Sequence, residues 1–189
     1  MSKNRPLAQV VMVIWLTALA CGAAQAASAK RSGEAEAPAA QQIDKFMDEG
    51  GPCHSERVQE AITLIYKENN VGAAAELALR CETLPSQQVN PAHKVMASRI
   101  RALIALRVRD MVSLKRAGET LVAQAARPEY VADGHFFIAF ACVFGGDTKC
   151  ARTHVDTAKT LFTQLKVAHA LDQIKPLEQS LIELETSPF

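Results

Sequence analysis

Apolar residues recur at helical spacing from Val58 to Leu184. Val58, Ala61, Ile62 and Ile65 make one stripe, and Ala74, Ala78 and Cys81 make the next. Val95, Met96, Ile100, Leu103 and Ile104 follow, then Leu114, Ala117, Leu121 and Val122. Steps of three and four place such residues on one side of a helix. The breaks between stripes carry turn chemistry: Asn69-Asn70, Arg109-Asp110, and Gly145-Gly146-Asp147. Pro85 marks the exit of the first pair of helices, Pro91 suits a first helical turn, and Pro128 closes the second pair. No run of alternating β-branched residues points to a strand. The pattern predicts an all-α fold.

The region from His135 to Leu165 is the clearest unit. Phe136, Phe137, Phe140 and Phe144 predict an aromatic face on one helix, kept slim elsewhere by Ala139 and Ala141. The two glycines stop it, because glycine takes up positive φ without a Cβ penalty. Asp147 stands where an N-cap belongs. Ala151, Val155, Ala158, Leu161 and Phe162 form the stripe of the returning helix. The three turn residues Asn70, Asp110 and Asp147 lie 40 and 37 positions apart. A near-constant period of helix pairs is the mark of stacked hairpins. A last stripe, Leu171, Ile174, Leu177, Leu181 and Leu184, predicts a capping helix over about 171–185, which Pro176 should start or kink.

Small Ala139, Gly146-Asp147, and then Ala151 and Ala158 seven apart resemble the tetratricopeptide repeat. His135 and Cys142 stand where that family usually has large residues. The resemblance implies a right-handed array of about three antiparallel hairpins with a C-terminal cap, a solenoid. It also implies that the chain binds peptides or protein surfaces in a concave groove.

The beginning of the chain reads differently. Lys3 and Arg5 precede an apolar run, Leu7 to Ala20, short of the ~20 residues a spanning helix needs. Ala24-Gln25-Ala26 then fits a signal-peptidase site, so residues 1–26 read as a secretory leader. Ala18-Leu19-Ala20-Cys21-Gly22 is similar to a lipoprotein processing site, with Ala18 where leucine is usual. That alternative anchors the protein in the outer membrane through Cys21. Residues 27–42 are small and polar and read as a flexible linker; residues 43–189 form the helical-repeat domain. The expected location is periplasmic or secreted.

Export gives the cysteines meaning. Cys53, Cys81, Cys142 and Cys150 remain after cleavage at either site, an even set suited to disulfides in an oxidising compartment. Three connectivities are open from the count alone. The hairpins select Cys53–Cys81, at the open end of the first pair, and Cys142–Cys150, flanking the third bend.

The composition adds one electrostatic feature and little chemistry. The chain carries net charge +1, yet residues 91–127 hold eight basic residues against two acidic ones. Lys94, Arg99, Arg101, Arg107 and Arg109 are the candidate binding residues, for an acidic peptide segment or another envelope protein. Nucleic acid does not fit an exported domain without interleaved aromatics. No protease, hydrolase, P-loop or dinucleotide motif is present, and no metal-ligand spacing. The reading is therefore non-enzymatic, with no cofactor and no metal. His135 and His154 are the one pair worth testing as a small-ligand or metal site. They sit about ten residues before the third turn and seven after it, at heights that permit contact. An outer-membrane pilot lipoprotein is a third reading, favoured if Cys21 is acylated.

Overall fold

The structure is a computed structural model, and it describes Cys53 and residues 55–83 and 91–186. The stretches expected to be a leader (1–26, with Cys21) and a linker (27–42), the start of the expected repeat domain at 43–52, and His54 and Pro85 lie outside the described residues. Those described form helices and turns without a strand, so the fold is all-α as predicted. Helix α1 is Ser55–Ile62, continued by a π-helical segment Thr63–Lys67. It is followed by α2 (Val71–Glu82), α3 (Pro91–Val108), α4 (Met111–Gln124), α5 (Pro128–Gly145), α6 (Thr148–Gln164) and α7 (Ala168–Thr186). Each helix packs on the next in sequence; α1 also reaches α3, and α7 also reaches α5. No described helix is long and apolar enough to cross a membrane.

One device makes all three hairpin turns. A residue with positive φ comes first: Asn69 (φ 53°), Arg109 (φ 61°) or Gly146 (φ 74°). It swings the chain out of the first helix. An Asx residue follows and accepts the third backbone N–H of the second helix. Asn70 takes Ala73 N, Asp110 takes Ser113 N and Asp147 takes Cys150 N, each at 3.0 Å. These bonds satisfy donors that a helix start leaves orphaned.

The core is built from alanine and branched aliphatics. Ala61, Ala74, Ala102, Ala139, Ala151 and Ala158 are fully buried, and Met96, Ile100, Leu103, Leu114 and Leu121 fill the space between them. The aromatic stripe expected on α5 is instead part of a helix buried on every side. From Phe136 to Val143 each residue is buried, and only Phe144, stacked on Phe140 at 4.7 Å, is half exposed. The reason is position: α4 and α6 cover α5 from both sides, and α7 lies against it as well. Pro176 does not start or interrupt the last helix, which runs through it unbroken. The missing N–H costs one backbone bond. Burial of Ile174, Leu177 and Leu181 around it holds the helix together.

Both cysteine pairings read from the hairpins are present. Cys53 and Cys81 are bonded with Cα atoms 5.2 Å apart, and Cys142 and Cys150 with Cα atoms 5.9 Å apart. Two disulfides are compatible with an oxidising compartment.

Candidate functional site

The basic stretch does not gather into one patch. Arg99 is turned toward α5. Its Nη2 donates to Asp133 Oδ2 at 2.9 Å, and its guanidinium lies 4.3 Å from the Tyr130 ring centre. The pair is largely shielded, with Arg99 15% and Asp133 26% exposed. Burial raises the Asp133 carboxyl above the usual aspartate range, and Arg99 pulls it partly back. Burial likewise raises the Tyr130 phenol against the charge of Arg99. Arg99 therefore clamps α3 to α5. Arg99→Ala leaves a shielded carboxylate without its partner, and should lower the unfolding free energy by about 1–3 kcal/mol in urea titration.

Arg107 is also engaged at home. Its Nη2 donates to Asn69 Oδ1 at 2.9 Å in the first turn, and its Nε is buried without a partner. Its charge acts on Tyr66, whose phenol burial pushes up to about 12. Arg109 spends its backbone on the second turn and leaves its side chain in solvent. Arg101 reaches back to α2 and grips Glu82 with two bonds, Nε to Oε1 at 2.7 Å and Nη2 to Oε2 at 2.5 Å. Half exposed, that pair contributes little stability.

Lys94 and Arg101 do meet, in a groove of about 590 Å³ that runs over α3 between α2 and α4. Ala75, Ala105, Ala117 and Ile104 give it an apolar floor, and Ser98 and Thr120 add hydroxyls. Arg116 of α4 is its third basic residue. Glu82 and Asp110 are its acids, and both are already committed. Glu82 is held by Arg101. Asp110 caps α4 and also accepts the Ser113 hydroxyl at 2.6 Å, which holds its carboxyl below the usual range. Lys94 and Arg116 make no salt bridge among the described residues, although the charge of Arg116 also acts on Asp110. Arg99, Arg107 and Arg109 do not line this groove.

Arg116 stood in the basic count without being singled out. Reflection about the Arg109-Asp110 turn places it level with Leu103, so the signal was there. Its neighbours on α2 could not be read, because they depend on how one hairpin stacks on the next.

The histidines come together. His135 Nδ1 and His154 Nδ1 are 2.8 Å apart, linking α5 to α6, with ring centres 5.0 Å apart. Burial pushes both below the ordinary histidine range. His154 adds to the effect on His135; Lys115 lowers His154 further, and Glu119 partly opposes this. No group of three or more potential metal ligands occurs among the described residues. Compared with family models, curated proteins and solved structures, the chain matches none.

Proposed function

We propose that the chain is a cell-envelope adaptor of the helical-repeat type, and that it holds an acidic segment of another protein in the groove over α3. The groove's unbalanced charge carries this reading. Its three bases, Lys94, Arg101 and Arg116, outnumber its two acids: Arg101 answers Glu82, and the ionised Asp110 offsets one of the other two, which leaves one positive charge in excess. An apolar floor under a charged margin suits a peptide that buries small side chains and presents carboxylates.

The packing of each hairpin on the next, with the same turn device recurring, supports the right-handed, tetratricopeptide-like array with α7 as its cap. The leader and the disulfides support a location outside the cytoplasm.

The test is a photo-crosslinking residue at Thr120, used in envelope extract. A protein should be trapped through an acidic segment. With Lys94→Glu and Arg116→Glu together, affinity for a peptide of that segment should fall about tenfold or more, most steeply at low salt. Lys175→Glu, on α7, should change nothing. Binding that survives the double reversal would remove the groove as the site. The triple reversal of Arg99, Arg101 and Arg107 is a poorer probe, since it also breaks contacts to Asp133, Glu82 and Asn69.

A further inference from the structure

The two imidazoles meet nitrogen to nitrogen. At 2.8 Å the separation is that of a hydrogen bond, so one Nδ1 carries hydrogen and the other offers its lone pair. A metal held by both would stand about 2.0–2.1 Å from each nitrogen and need further ligands. The described residues offer no set of three. The geometry fits a proton.

We propose that His135 and His154 form a one-proton latch between α5 and α6, and that acidification springs it. With one or no charge on the pair, a proton lies between the rings. With a second proton both Nδ1 atoms are donors, the bond is lost, and two like charges are left facing each other in a half-buried site. His154 lies one helical turn beyond Cys150 and His135 about two turns before Cys142, so the latch governs the part of the hairpin on the far side of the disulfide from the turn.

The surroundings set its response. On α4, Lys115 opposes a second charge and Glu119 favours it. On α7, the charged groups have other partners: Glu185 takes Arg152 and Glu178 takes Lys159. His169 acts on Asp133. On α6 itself, Asp156 acts on Arg152.

The sign follows from the lowered pKa values. In the unfolded chain both histidines titrate near 6.5. Above that pH the neutral pair contributes in full. As pH falls toward the folded-state values the unfolded chain takes up protons first, and stability is lost. The hairpin therefore loosens in mildly acid conditions, and α7, which packs on it, loosens with it.

The experiment is an NMR titration of imidazole resonances in the full chain with both disulfides intact, with urea unfolding at pH 7.5 and 5.5. In the wild type, His135 and His154 should titrate below the same residues in the urea-unfolded chain. In His154→Gln, the amide can donate or accept, so a bond to His135 survives in either protonation state. The His135 midpoint should then rise, and the stability lost between the two pH values should shrink. His135→Gln is the reciprocal variant, read at His154, should the first fail to fold. An unchanged His135 midpoint would show burial alone at work and overturn the latch. So would an equal loss of stability in wild type and variant.

Discussion

Alanine at Gly134 is expected to lower the unfolding free energy by about 2 kcal/mol, measured by urea denaturation, where the same change on an open helix would raise it by up to ~1 kcal/mol. Helices α4 and α5 cross at their two glycines. A Cβ at Gly134 would stand 2.8 Å from Gly118 O and 2.9 Å from Leu121 Cβ and Val122 Cγ2. A Cβ at Gly118 would stand 2.8 Å from Gly134 O and from Ile138 Cγ1. The obstacles include backbone, which cannot swing aside as a long side chain can. The helices must part, and the buried residues between them lose contact. Gly72 is the control: only Asn70 Oδ1, at 3.8 Å, is near its absent Cβ. Gly72→Ala should therefore be neutral or stabilising. Gly118→Ala should resemble Gly134→Ala, and the double variant should cost less than the sum, since one parting of the helices admits both methyl groups. If Gly134→Ala proved no less stable than the parent, this close crossing would not exist in solution.

That crossing was not legible in the sequence. Glycine within a helix reads first as a weakness, and what it gains is visible only when the opposite helix is in place. The turns were legible because their chemistry is local: Asn70, Asp110 and Asp147 cap the helix that directly follows them. The disulfides were legible because each joins neighbours within one hairpin, where the chain itself fixes the distance. The histidine contact is intermediate. Counting from the turn allowed His135 and His154 to meet, and side-chain direction brought them to 2.8 Å. The arginines show where local reading stops. Arg99 and Asp133 are 34 positions apart, and Arg101 and Glu82 are 19 apart and on successive hairpins. A count of charge along α3 could not reveal that two of its arginines are already answered. It located the groove's surroundings, and Arg116 completes what stacking brings to the groove. The π-helical segment at Thr63–Lys67 had no sequence signal; its benefit is the burial of Ile65 in a core assembled by other helices.

Loss of both disulfides is expected to have the largest effect, about 3.5 kcal/mol for Cys53–Cys81 and about 2.5 kcal/mol for Cys142–Cys150 in chain-entropy terms. The difference comes from sequence separation, 28 against 8, because the longer loop leaves more freedom to the unlinked unfolded chain. Native packing widens it. Among the described residues helix α1 packs mainly on α2 and α3, and the bond ties Cys53, two residues before it, to the last turn of α2. The Cys142–Cys150 bond spans a turn that is already capped by Asp147 and backed by the most buried helix of the fold. The double variants Cys53→Ala with Cys81→Ala, and Cys142→Ala with Cys150→Ala, separate the two effects without leaving a lone thiol. In the first, hydrogen exchange should show early loss of protection confined to α1 and α2, while α5 and α6 remain protected. In the second, the urea midpoint should fall with no such localisation. Peptide mapping that joined Cys53 to Cys142 or Cys150 would overturn the hairpin register from which both magnitudes come. Equal losses from the two pairs would leave the register standing and show that loop length does not govern what each bond contributes.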